Sequence, residues 1–320
     1  MSRPLALLFG ALVLVLPLSL LAGRVWIDPF DPHTRNAAVI VLQLRLPRAV
    51  LALVVGAGLA SAGAAMQGYL RNPLADPGLF GIAPGAALGA VLSFYTGYAA
   101  SAYLLPVFAL VGAAGAMALL AIIAGRDASV ALFTLAGLMI ASLAGALMSL
   151  AISLSPTPFA MSEIVTWLMG ALADRSWREV WIATPLTLAG LALLVIARPS
   201  LDALTLGEAA ARSLGVQPRR LRALLICGVG LTVGASVAVA GIIGFVGLIV
   251  PHLVRPLTDR RPSSLILPSA VVGALLLLLA DVLCRVLPLA GGELRLGIAL
   301  SLIGAPFFLH LLLKMRRGLS

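Results

Sequence analysis

The chain has 320 residues, of which 61% are hydrophobic and only 11% charged, with a formal net charge of +10. Soluble domains carry about 25% charged residues, whereas ten membrane spans of about 20 residues would occupy roughly 200 positions. Together with a mean hydropathy of +1.11, these figures exclude a soluble enzyme, a disordered tail and a disulfide-framed secreted module. They predict an all-α polytopic membrane protein forming a single domain over 1–320.

The first run, 1–23, carries Arg3 and then apolar residues. Its tail, Leu20-Leu21-Ala22-Gly23, lacks the small-x-small pattern of a cleavage site, so it reads as an uncleaved first span. The second run, about 48–69, begins beside Arg45 and Arg48, with Pro47 placed to open a helix. Two cations at a helix amino terminus are unfavourable unless an anion arrives there; the alternative reading is interfacial snorkelling of both side chains. Near the far end of this run, Gln67 is either a satisfied interhelical donor or a gate. Further runs follow at about 80–98, which includes Ala83-Pro84, at 103–124 and at 130–154. In the last of these Gly137, Ala141, Gly145 and Ser149 recur every four positions, with Ser142 alongside. Such a small-residue stripe lets helices approach closely, or leaves room beside a pathway at a dimer interface.

After a segment holding Trp167 and Met169, a sixth run covers about 180–197. Residues 199–222 then form the longest polar insertion. Thr205 followed by Glu208 reads as a capping box, Gly215 suits a left-handed helix end and Pro218 blocks continuation. The expected product is a helix of about nine residues, roughly 13 Å long, then a turn and a second short basic helix. This helix-turn-helix, at about 203–220, suits docking into a partner's groove or lying on lipid.

From Ala223 to Val254 the chain carries no charge over 32 residues. Arginine clusters flank it on both sides, so an even number of crossings is needed. Glycines 241, 244 and 247 offer a break, giving runs at about 223–241 and 243–256 with a short, internally packed return helix. Runs at about 265–286 and 296–315 complete ten. With both termini cytoplasmic, 14 of the 22 Lys and Arg residues fall inside and eight outside, the favoured bias. The basic residues are 21 arginines and Lys314 at the ends of apolar runs, so no nucleic-acid partner is expected. Cys227 and Cys284 read as small core residues. His33, His252 and His310 lack metal-ligand spacing.

Ion-coupled carriers need ionisable groups at mid-membrane, and here only Asp281, four residues before Arg285, lies within a run. The i,i+4 spacing lets that pair neutralise itself. The chain has no phosphate-binding loop motif. ATP-driven movement therefore requires a separate ATPase subunit, with ATP and Mg used there and no cofactor or metal bound by this chain.

The segment "LGEAAARSLGV" resembles the coupling-helix signature of the FecCD family, the permease subunits of type II ABC importers for iron chelates, haem and cobalamin. "LRLPRAV", "MQGYLRNPLADPG", "WLMG", "GFVGLIVPHLVR" and "GAPFFLHLLLK" agree in order and spacing over nearly the whole chain. The resemblance implies the type II importer permease fold in the bacterial inner membrane. The partners it implies are a second copy of the chain as a homodimer, two ATPase subunits and a periplasmic or lipid-anchored binding protein. ATPase coupling then falls to Thr205, Leu206, Gly207, Glu208, Ala211, Arg212, Leu214 and Gly215. Binding-protein docking falls to Arg45, Arg48 and Arg285, with Arg295 an added cation. Gln67, Pro84, the 137–149 stripe, Trp167 and Met169 would border the pathway, with Trp167 reading equally as an interfacial tryptophan. A ferric siderophore or haem is the first expected solute and cobalamin the second. Two departures stand out: Arg295 follows the Glu293-Leu294 pair where relatives usually carry proline, and Ala83-Pro84 is less polar than relatives' third-span gate.

Overall fold

Among the residues described by the computed structural model (3–23, 26–27, 37–101, 103–125, 129–155, 157–287 and 292–317), regular structure is entirely helical. Arg24, His33, Arg35 and Arg126 lie outside them. In chain order the helices are α1 (Arg3–Leu21), α2 (Ala37–Leu70), α3 (Ile82–Tyr95), α4 (Leu104–Ala124), α5 (Val130–Ser153) and α6 (Pro158–Leu168). They continue with α7 (Trp177–Leu204), α8 (Glu208–Ser213), α9 (Pro218–Ala240), α10 (Val246–Val254), α11 (Pro262–Val286) and α12 (Leu296–Arg317). Seven are long and apolar enough to cross a membrane, and α1, α3 and α10 are shorter apolar helices. Each of the ten expected runs has become a helix, with α6 and α8 as short extra elements.

Helix α2 is the axle of the bundle. It packs against α11, α7, α10 and α9, and 78% of its most apolar window is buried. Its Ala- and Gly-rich sequence makes this possible. Gly56 lies against the backbone of Gly273 on α11, and Gly63 against that of Gly247 on α10, with no room for a Cβ at either position. Association between spans in lipid relies on such close packing, because lipid is as apolar as the side chains. Helices α4, α5 and α12 sit at the periphery, 28–33% buried over their apolar windows, with leucines such as Leu135, Leu143 and Leu302 facing outward.

The uncharged stretch breaks as expected, then differs in one residue. Gly241 takes φ +71°, but the second left-handed position is Phe245 at φ +65°, not Gly244. The Phe245 ring rests where Gly304 on α12 leaves space. Helix α10 returns from this break with seven of its nine residues buried.

Four local expectations are corrected. Pro47 stands in the first turn of the α-helical part of α2, Leu46–Leu70, as expected, but it does not begin the element: α2 starts at Ala37 and runs through a π turn at Ile40–Arg45. That wider turn sits just before the proline, whose missing N–H and bulky ring disturb the regular ladder. Thr205 and Glu208 do not form a capping box. Helix α7 passes through Pro185 and Pro199 to Leu204, Thr205 ends it, and Gly207 precedes α8 without a side-chain cap. The second basic helix is the first turn of α9, continuous with the span. Cys284 is buried, but Cys227 lies exposed on the flank of α9.

Candidate functional site

At the end of the bundle where α7 stops and α9 starts (the hairpin end), all eight residues expected to couple lie on one rigid turn. The Thr205 hydroxyl donates to the Asp202 carbonyl at 2.7 Å. Gly207, at φ +98°, turns the chain into α8, which is six residues or about 9 Å long. The helix closes at Gly215, φ +87°: the Gly215 N–H donates to Arg212 and the Val216 N–H to Ala211, at 2.9 and 3.0 Å. This doubly bonded left-handed closure satisfies carbonyls that would otherwise be orphaned.

Ala211 is the buried anchor of α8. Leu206 and Leu214, 66% and 64% exposed, project from either side of the turn. They leave two uncovered apolar side chains on an otherwise polar turn. Glu208 and Arg212 approach to 3.9 Å with both side chains largely in solvent, a pair that contributes little to stability. Cavities of about 540 and 310 Å³ lie on the two flanks, one reached by Tyr69, Arg212 and Arg222, the other by Leu214 and Arg220.

The opposite end (the arginine end) gathers the four arginines expected to dock a partner, but it consumes two of them. Arg48 bonds Asp281 at 2.9 Å and Glu293 at 2.8 Å, and Arg285 reaches Asp281 at 3.2 Å. Arg285 also donates to the Ser19 and Ala22 carbonyls. With Arg48 and Arg285 only 12% and 5% exposed and Asp281 1%, two cations and two carboxylates form a balanced, nearly dry cluster. Arg48 and Arg285 therefore do not stand open to an incoming carboxylate. Arg45 donates to the Leu20 and Leu21 carbonyls at 2.9 and 2.7 Å, offsetting the negative end of α1. The expectation that Arg45 and Arg48 crowd a helix amino terminus fails, since both lie inside α2. Arg45 and Arg295 are half-buried at the rim.

The pathway candidates do not converge on one place. Gln67 is buried at the hairpin end, donating to the Leu248 carbonyl at 3.3 Å and accepting from Arg255 at 2.9 Å. Of its two expected roles, the satisfied interhelical hydrogen bond is the one observed. Pro84 is half-buried in the first turn of α3. The α5 stripe runs from inside to outside: Gly137 packs against Gly81, Ala141 and Gly145 are half-buried, and Ser142 and Ser149 are exposed. Trp167 packs edge-on to Phe94 at 6.1 Å, and Met169 is 39% exposed.

Several structural contacts went unread in the sequence. Ser176 and Glu179 form the genuine capping box, opening α7 with a Ser176 N–H to Glu179 bond of 2.7 Å. That S-x-x-E signal was present in the sequence. Asp202 caps α11 from α7 by accepting the Ser263 N–H at 2.9 Å. No local pattern announces a cap supplied by another helix.

With ten apolar helices, a buried half-crossing and a leucine-tipped hairpin in place, the family model of the FecCD transport family matches residues 7–314. The chain belongs to the FecCD transport family. Its similarity to other FecCD-type proteins is close to end to end. A vitamin B12 import system permease protein, BtuC, of Escherichia coli O9:H4 is 40% identical over 310 residues, covering 96% of this chain and 93% of the relative. The Citrobacter koseri BtuC is 39% identical over 318 residues, covering 98% and 95%. Among solved structures, an inward-facing metal-chelate type ABC transporter superposes with a TM-score of 0.90 at 35% identity, covering 98% of this chain and 99% of that one. A second, PsaBC of Streptococcus pneumoniae bound to a Fab, shares the fold at a TM-score of 0.56 and 21% identity, with 82% and 89% covered.

Proposed function

We propose that this FecCD permease works as a homodimer in a bacterial inner membrane and imports a large metal chelate, with the hairpin end cytoplasmic. In this reading, two ATPase subunits dock on α8, and ATP and Mg are used there. Each α8 is joined to α7 and α9 by short, hydrogen-bonded turns, so displacement of the hairpin moves a packed helix pair as a unit. A substrate-binding protein docks at the arginine end through the rim cations Arg45 and Arg295, with Arg48 and Arg285 behind them. The buried ion cluster keeps that end rigid. The small-residue stretch from Ala141 to Ser149 lies along the dimer contact and the pathway, with Pro84, Trp167 and Met169 towards its mouth.

A cobalamin-type corrinoid is the solute supported by the vitamin B12 permeases at about 40% identity over nearly the full length. The first expectation, a ferric siderophore or haem, keeps support from the metal-chelate type of the solved transporter at 35% identity. Purification of the cognate binding protein and titration with cobalamin, haem and ferric siderophores separates the two.

The observation that carries the coupling role is the exposed Leu206–Leu214 pair around a buried Ala211 anchor. Leu206→Asp with Leu214→Asp, or Arg212→Glu alone, is expected to cut ATPase co-purification at least tenfold while the permease keeps its unfolding midpoint. Full assembly and ATP-dependent uptake by these variants would overturn the reading. So would uphill uptake in proteoliposomes containing the permease without an ATPase, which would make it an ion-coupled carrier.

A further inference from the structure

A smaller cavity of about 230 Å³ lies at the hairpin end, apart from the two that flank α8. Arg71, Arg255 and Arg260 line it, and no acidic side chain does among the described residues. The neighbouring carboxylates are engaged elsewhere: Asp202 holds the Ser263 N–H at 2.9 Å, and Asp259 pairs with Arg261 at 3.6 Å. The larger cavity beneath α8 sets one carboxylate, Glu208, against Arg212, Arg219 and Arg222 and is partly compensated, whereas the smaller one has no carboxylate among its described lining residues. Here Arg255 and Arg260 repel each other. Arg255 spends one nitrogen on Gln67 at 2.9 Å, while its buried Nε has no hydrogen-bond partner among the described residues.

The backbone adds a second feature. Arg71 and Arg260 adopt φ of +49° and +64°, two of the four non-glycine residues with left-handed backbones among those described. Arg71 occupies the closing position of α2, where the Asn72 N–H donates to Gln67 at 3.2 Å. Glycine is the unstrained choice at such a helix end, and strain held at non-glycine positions points to work done by the side chain. Both strained arginines face the same cavity. It sits where the apolar helices α2 and α7 end and α11 begins.

We propose that this cavity binds a phosphate group, gripped by Arg71, Arg255 and Arg260. Arginine's planar fork matches phosphate oxygens in bidentate fashion, and basic pockets between membrane helices accept phospholipid headgroups. The source of the group is an anionic phospholipid or free phosphate.

The full-length chain, purified and stripped of lipid phosphate, is titrated with inorganic phosphate at constant ionic strength while its unfolding midpoint is followed. In parallel, native mass spectrometry scores retained phosphatidylglycerol. The wild type shows a saturable rise, retained lipid, or both. Response to inorganic phosphate assigns free phosphate as a sufficient ligand; retention of phosphatidylglycerol alone assigns the lipid. Arg71→Gly and Arg260→Gly relieve backbone strain, so each starts from an equal or higher midpoint and yet binds phosphate or lipid at least tenfold more weakly. That opposition separates a ligand-binding role from a structural one, which would lower the midpoint and leave the titration unchanged. Equal responses in wild type and variants would overturn the site, as would absence of both phosphate and lipid binding. Loss of ATPase association in the variants without any phosphate or lipid effect would also overturn it and assign the cavity to a protein carboxylate.

Discussion

Asp281 holds two arginines from two helices with almost no access to water; its removal would strand Arg285 and leave Arg48 with the half-exposed Glu293 alone. Breaking such a pair costs about 3–5 kcal/mol, because the stranded charge keeps its desolvation penalty. Asp281→Ala is therefore expected to lower the unfolding midpoint severely. Glu293→Gln removes only the more exposed carboxylate, 31% accessible, at a cost of about 0–1 kcal/mol. Equal losses in thermal unfolding would contradict this division. Asp76 offers a pH test in the loop between α2 and α3. Burial pushes its carboxyl above the ordinary range, opposed by the Gly78 N–H it accepts at 2.7 Å. A carboxyl raised in the folded state contributes stability at low pH and loses it as pH rises through the folded value. Asp76→Asn keeps the acceptor without the charge, so its midpoint at neutral pH should equal or exceed the wild type's. Its gain on mild acidification should also be smaller; an identical pH profile would refute the assignment. At this scale the sequence is half legible. The i,i+4 spacing reveals Arg285 beside Asp281, but Arg48 is 233 positions away, and no local periodicity reports a partner at that distance.

Helix by helix, the ten spans and the break near Gly241 are legible, because hydropathy and charge flanks act locally along the chain. The ends of elements are less so. Thr205 and Glu208 have the right spacing for a cap, but α7 continues through Pro199 and takes Thr205 as its own end. Prolines are tolerated within membrane helices when neighbours satisfy the freed backbone groups, so Pro199 does not end α7, and Pro47 starts the α-helical part of α2 without starting the element. Packing of the axle supplies a test between glycines. A Cβ at Gly63 would overlap the Gly247 backbone, whereas one at Gly145 meets nothing within 4 Å. Gly63→Ala should destabilise by about 1–3 kcal/mol through overpacking. Gly145→Ala should leave the isolated chain unchanged or stabilise it by up to about 1 kcal/mol, since glycine is unfavourable inside a helix. Measuring both in the same detergent distinguishes interior from surface.

The whole molecule is unevenly buried: α2 and α9 are enclosed, while α4, α5 and α12 present apolar faces outward. In a two-fold dimer the same patch faces its own copy, so cysteines along α5 report the proposed contact. With Cys227 replaced by serine and Cys284 left buried, cysteine at position 142, 145 or 149 is expected to give an oxidised dimer at one site at least. Monomer at all three would place the dimer contact elsewhere. The family was legible from motifs spread over the chain, whereas the solute was not. A cavity for a large chelate is shaped by many apolar positions, each of which also satisfies ordinary helix packing.

The separation between Arg48 and Asp281 has a consequence for how the protein is made. The ribosome delivers the arginine hundreds of codons before the aspartate that neutralises it, and the axle helix must enter the bilayer while most of its neighbours are still unwritten. A nascent or truncated chain ending before Asp281 lacks both carboxylates that neutralise Arg48 in the finished fold. The tetrad can therefore close only after the last helices have been synthesised.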